Sequence, residues 1–321
     1  MRLNLLIAPP GWGKTYRLLE WIKYQRGPFI FVFPLRALCE EVYHSALEHR
    51  ISCLCFRSRK DHELYLKLKP KLLISTPELL QNLRVEPSLY LLDEFHLYFY
   101  WGESFREGLL DFMEEHLANS PPVILLSATM SQKIQQKMSE LFMSNYNQIR
   151  IWDFGNQKLR NDPSAVYVYF SKKNIMRSVF YDHSSGTKLI FCEYREEVKR
   201  LCEQLSKRGF KSISCVGGEA YEFSLKLRDE VQWDYIVATT VVSHGVNLPA
   251  ISKVFFTYKV KNLDFYLQMV GRAGRDGSSF EVHTLTRIYF RTYLVMKGLW
   301  LGFLKSFGQR WRYYIYSYYE S

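Results

Sequence analysis

Long apolar runs are missing from these 321 residues. No stretch approaches the roughly 20 residues needed to cross a bilayer, so no membrane contact is expected. The aromatic segment near the C-terminus comes nearest, and Arg291, Lys297 and Lys305 interrupt it. The opening, MRLNLLIA, is too short for the apolar core of a secretion signal. Cysteine is sparse: Cys39, Cys53, Cys55, Cys192, Cys202 and Cys215 show no zinc-ligand spacing. Cys53 and Cys55 are also too close for an ordinary bridge along one strand. The six read as reduced thiols, which sets a cytoplasmic location as the expectation. Low-complexity segments and short repeats are absent, which excludes fibrous and solenoid architectures. Acid is in short supply, with 32 Asp and Glu against 43 Lys and Arg, a formal charge of +11. A protein this basic usually meets a polyanion, most often nucleic acid, although a solubilising surface would look the same at this level.

What the chain does have is alternation. Short apolar runs at 3–8, 29–33, 51–56, 71–75, 89–93 and 123–128 are separated by stretches with helical spacing, such as TYRLLEWIKYQ and RALCEEVYHSALEH. Strands alternating with helices predict a parallel sheet with crossover helices. The pattern breaks at GNQKLRNDPS and restarts with runs at 165–170, 188–192, 212–216, 235–239 and 253–257. The expected organisation is α/β, with one domain over 1–154, a linker over 155–164, a second domain over 165–285 and a tail over 286–321.

APPGWGKT (8–15) follows the first strand and precedes the first helix, as a phosphate-binding loop must. Gly11 and Gly13 let the backbone turn tightly and aim N–H groups inward. Lys14 supplies positive charge for the β- and γ-phosphates, and Thr15 offers a hydroxyl to Mg²⁺. YLLDEFHLYFYW (90–101) then runs a strand into two adjacent carboxylates. In P-loop folds a neighbouring strand ends in an acid that holds Mg²⁺, the place of Asp93, and Glu94 beside it can deprotonate the attacking water. His96 is not placed for the same point and is assigned to coupling with the second domain, against the plainer reading of a histidine satisfied in the core.

With those residues identified, the chain resembles a superfamily 2 DExH-box helicase over residues 5 to about 277. The blocks APPGWGKT, FPLRALCEE, STPELL, DEFH, SAT, LIFCEYREE, VATTVVSHGVNLP and QMVGRAGRDG fall in the family's order. FPLRALCEE, the GVNLP ending and QMVGRAGR look most like the branch of the Ski-type and archaeal DNA-repair helicases. The resemblance implies two RecA-like domains, ATP and Mg²⁺ in the cleft between them, and a single strand of DNA or RNA lying across both. Arg272 and Arg275 match arginines that reach the γ-phosphate from the second domain, and Gln268 a residue beside the attacking water. Gly245 and Asn247 match a nucleotide-sensing loop, while Ser127 and Thr129 match the motif that couples hydrolysis to closure. Arg36, Thr76 and Thr239 match positions that grip phosphates of the strand. The plainer readings are that Thr76 caps a helix starting at Pro77 and that Arg36 sits on a solvated helix start.

Departures from the family shape the remaining expectations. The short stretch before the first strand leaves no room for the segment that reads adenine in many relatives, so relaxed base choice is expected. About forty residues after the second domain are too few for the winged helix and helical ratchet of that branch. This sets a motor against two alternatives: an ATPase subunit that remodels nucleic acid only with a protein partner, and a non-catalytic binding module. The tail repeats aromatic or Met residues at helical spacing from Tyr289 to Trp311 and carries Arg287, Arg291, Lys297, Lys305, Arg310 and Arg312. It is read as a helix that packs back on the core or meets the strand or a protein partner.

Overall fold

The computed structural model describes residues 2–285, apart from 81, 82, 84–86, 105, 118–120, 143–145, 147, 230, 231 and 244–247. The tail, with everything expected of it, lies outside the described residues, as do Gly245 and Asn247. The chain divides into two compact units, with the boundary between Arg160 and Asn161.

The first unit is built on a sheet of seven parallel strands: β1 (Arg2–Ile7), β2 (Phe29–Val32), β3 (Cys53–Phe56), β4 (Leu72–Ser75), β5 (Leu89–Leu92), β6 (Val123–Ser127) and β7 (Gln148–Asp153). Their order is β3-β4-β2-β5-β6-β1-β7. Strand periodicity explains why the inner strands read as unbroken apolar runs. In β2, Ile30 and Val32 enter one core with Leu3, Leu5 and Leu125, while Phe29 and Phe31 enter another with Leu19, Ile22 and Val42. Both faces are covered by helices, so both sets of side chains must be apolar. The helix Arg36–Glu48 shows the matching pattern, burying Leu38, Cys39, Val42 and Ala46 along one stripe.

The second unit repeats the plan with six parallel strands: β8 (Ala165–Tyr169), β9 (Thr187–Phe191), β10 (Ser212–Cys215), β11 (Tyr235–Ala238), β12 (Ile251–Phe256) and β13 (Glu281–Leu285). Their order is β10-β11-β9-β12-β13-β8. A core that includes Ile190, Val237, Tyr235 and Phe255 packs against Ile175, Val198 and Leu201 from the covering helices.

Two strands were not expected. β7, QIRIWD, is an edge strand whose residues are all exposed or half-buried. β13, EVHTL, mixes an acid and a histidine into its run. Neither carries an apolar signature, because β7 is held mainly by its ladder to β1 and β13 by ladders to β12 and β8.

Candidate nucleotide and nucleic-acid site

Sheet order brings the first unit's motifs together. β5, β6 and β1 are neighbours, and their C-terminal ends lead into DEFH, SAT and the phosphate loop respectively. Such carboxyl ends are where open α/β sheets bind ligands. Ile7 pairs with Ser127, and the Ala8 N–H donates to the Ser127 carbonyl at 3.1 Å.

The loop itself needs two left-handed residues. Gly11 and Gly13 have φ of +76° and +84°, and Gly13 caps the helix Lys14–Tyr24. Lys14 Nζ donates to the Ala8 carbonyl at 2.8 Å, folding the ammonium back onto its own loop. Thr15 Oγ1 donates to Asp93 Oδ2 at 3.0 Å. Asp93 is buried, and its other oxygen accepts the Glu94 N–H at 2.8 Å. Burial first, and then the Glu94 charge, push the Asp93 carboxyl up to about 6; Lys14 and these hydrogen bonds pull it back only in part.

Glu94 is held at φ +48°, a left-handed conformation that costs a residue with a side chain on the order of 1–2 kcal/mol. Backbone strain of this kind concentrates at functional sites. His96 corrects an expectation. Its ring is fully buried and does face this point: Nδ1 lies 3.0 Å from Ser127 Oγ and 3.7 Å from Glu94 Oε2. His96 is the first residue of the helix His96–Gly102, which starts two positions after Glu94. Ser127 Oγ donates on to the Thr129 carbonyl, so DEFH and SAT form one chain of contacts. Thr129 Oγ1 is buried with no hydrogen-bond partner among the described residues.

The residues expected to grip a strand are spread over both units. Arg36 is exposed at the first position of its helix, whereas Thr76 is buried just before the helix Pro77–Leu80. In the second unit, Thr239 is half-buried directly after β11. Gln268 is buried in the helix Leu263–Val270, which Asn262 caps by accepting the N–H groups of Asp264 and Phe265. Arg272 is buried and donates from Nε to the Ser243 carbonyl at 3.1 Å, so it braces the turn Thr240–Ser243 that follows Thr239. Arg275 is half-buried, with Nε 3.2 Å from the Gly271 carbonyl.

Sequence reasoning missed a group around the phosphate loop. Trp12 stacks on Phe154 with centroids 4.9 Å apart, the Arg17 guanidinium lies over Trp12, and Arg160 Nη1 donates to the Gly11 carbonyl at 2.8 Å. Trp12 was visible as a bulky residue in a loop that needs none; Phe154, at the end of the expected first domain, and Arg160, inside the polar connector, gave no signal.

The DEAD/DEAH box helicase family model matches residues 2–137, and the model for the helicase conserved C-terminal domain matches 171–277. The chain belongs to the superfamily 2 helicases. It is 28% identical over 311 residues to the RecQ-like DNA helicase blm-1 of Caenorhabditis elegans, covering 85% of this chain and 30% of that protein. To the ATP-dependent DNA helicase RecQ of Bacillus subtilis it is 26% identical over 311 residues, covering 86% of this chain and 49% of that one. To the ATP-dependent RNA helicase DbpA of the same organism it is 24% identical over 208 residues, covering 63% and 43%. This superfamily 2 chain therefore spans less than half the length of these three relatives. Among solved structures, it superposes on Saccharomyces cerevisiae Dbp5 bound to RNA and ADP BeF3 with a TM-score of 0.70, at 16% identity over 89% of this chain and 79% of that one. Mycobacterium smegmatis helicase Lhr bound to ssDNA and AMP-PNP gives 0.64, at 19% identity over 88% and 43%. Both units thus have the RecA-like helicase fold.

Proposed function

We propose that the chain is an ATP-driven motor that moves 3′ to 5′ along a single strand of nucleic acid, hydrolysing ATP where the two units meet. The observation that carries the proposal is the Thr15–Asp93 pair beside Lys14, with Glu94 strained next to it. A loop that only bound phosphate would need neither carboxylate.

The donors fit Mg²⁺: a hydroxyl and a carboxylate are the hard oxygens that ion prefers. Among the described residues no three His, Cys, Asp or Glu gather to cage a metal, so the ion would arrive with the triphosphate and water as its other ligands. When bound, it neutralises charge developing on the γ-phosphate. Lys14 exchanges the Ala8 carbonyl for a phosphate oxygen. Glu94 accepts the proton of the attacking water, and His96, with Nδ1 on Ser127 Oγ, sits beside the Glu94 carboxylate. Arg275 supplies the second unit's charge to the transition state, and Gln268 orients beside the water. Gly245 and Asn247 sense nucleotide, while Ser127 and Thr129 carry the state of the site to the strand held by Arg36, Thr76 and Thr239.

A strand as partner is supported by the net charge of +11 and by structural neighbours captured on RNA or ssDNA. The DExH subtype, the Ski-type branch and the direction of movement rest on the motifs FPLRALCEE, GVNLP and QMVGRAGR. Buried thiols belong to the same picture. Burial pushes Cys55, Cys192 and Cys215 up to about 12, which leaves them inert side chains suited to a reducing cytoplasm.

The test is ATP turnover with no polymer, single-stranded DNA and single-stranded RNA, followed by duplex unwinding. The motor reading expects stimulation by at least one polymer and movement on it. Stimulated turnover without unwinding would assign an ATPase subunit that needs a protein partner, and no turnover at all would leave a binding module.

A further inference from the structure

Strand order gives the nucleotide a direction. Asp93 and Glu94 follow β5, so on the reading above a bound metal and γ-phosphate would lie on the β5 side of the phosphate loop. The sugar and base of a triphosphate lying along that loop are left to the other side, toward β7. That side carries two aromatic rings. Trp12 and Phe154 stack at 4.9 Å with 28° between their planes, and the Arg17 guanidinium sits 4.6 Å from the Trp12 centroid. Half of Phe154 remains exposed, at 50%.

The arrangement is built rather than incidental. The Phe154 N–H donates to the Ile7 carbonyl at 2.8 Å, extending the ladder one residue past β7. Asp153 Oδ1 then accepts the N–H groups of Gly155 and Asn156, at 2.8 and 2.7 Å. Asn156 clasps Met130, accepting its N–H at 2.8 Å and donating to its carbonyl at 3.0 Å. Gly155, at φ +130°, passes so near Pro9 that an added Cβ would sit 3.1 Å from its ring. Exposed apolar residues also occur upstream, at Ile151 and Trp152, and taken alone Phe154 would be one more. The ring differs because these contacts fix it against a tryptophan inside the phosphate loop itself.

We propose that Trp12 and Phe154, with Arg17 supporting Trp12, form a stacking platform for the nucleobase of the bound triphosphate. The proposal rests on the nucleotide-site reading above and names what holds the far end of the ligand. Stacking recognises a π-face that every base has, so the platform favours nucleotides over bare phosphate without choosing among bases.

Calorimetric titration of the full chain with Mg-ATP, Mg-GTP and Mg-tripolyphosphate, with no polymer present, tests it. The wild type is expected to bind both nucleotides similarly and more tightly than tripolyphosphate. Phe154→Ala should weaken ATP and GTP about tenfold, the loss of one stacking partner, and leave tripolyphosphate unchanged. Phe154→Tyr should restore nucleotide binding. Should Phe154→Ala melt early, Phe154→Leu keeps the bulk, removes the π-face and is read the same way. Unchanged ATP affinity, or an equal fall for ATP and tripolyphosphate, would overturn the platform while leaving the phosphate site standing. A wild type that binds none of the three would sink the nucleotide site and the platform together.

Discussion

Glu94 sits in a conformation a glycine would take more comfortably, with its N–H on Asp93, its carbonyl accepting the Leu97 N–H and its carboxylate near His96. Glu94→Gln keeps the shape and removes the base. Turnover is expected to fall by about 10²–10⁴-fold with ATP still bound, as read by steady-state rates beside equilibrium binding. Lys14→Ala should instead lose ATP binding itself. Asp93 makes a pH prediction. Burial favours its protonated form in the empty site, so it stabilises the fold below its ordinary value of 3.8 and surrenders that stability as pH rises through about 6. Magnesium takes only the ionised carboxylate. The Mg²⁺ concentration for half-maximal turnover should therefore rise about tenfold per pH unit below about 6 and level off above about 7. A flat dependence across that range would mean that Asp93 does not hold the ion.

At the level of elements, the two edges of the nucleotide site are held by different forces. β6 is packed from both faces, with Leu125 fully buried between β1 and β5. Leu125→Ala should cost about 2–5 kcal/mol, read as a lower urea midpoint. β7 is held by its ladder to β1 and leaves Ile151 55% exposed, so Ile151→Ala should stay within about 0.5 kcal/mol. The same contrast explains what was legible. Buried strands announce themselves as apolar runs, whereas β7 and β13 carry mixed residues and take their place from neighbours already in the sheet.

Across the whole molecule, the two arginines of QMVGRAGR differ in their surroundings. Arg272 is buried on the Ser243 carbonyl, and its loss should destabilise the second unit by about 1.5–3 kcal/mol, the worth of hydrogen bonds from a charged donor. Arg275 is half-buried, with Nε on the Gly271 carbonyl. Arg275→Ala should leave the melting temperature nearly unchanged and lower polymer-stimulated turnover by roughly 10³-fold, as expected for an arginine supplied to a phosphoryl transition state. Wild-type turnover by Arg275→Ala with polymer present would remove it from the mechanism.

The sequence by itself determined the α/β class, the placing of eleven of the thirteen strands among the described residues, and the phosphate loop with its acids. Each of these is a local pattern: glycines where the backbone turns left-handed, apolar alternation where a sheet is covered, and carboxylates at a strand's end. Tertiary structure decided which residues meet. It set His96 against Glu94, closed Ser127 onto the same chain of contacts, and brought Phe154 and Arg160 onto a loop some 140 positions earlier in the chain. No spacing rule encodes those contacts, because they follow from strand order. β1 lies between β6 and β7, and the ends of those strands decide what surrounds the phosphate loop.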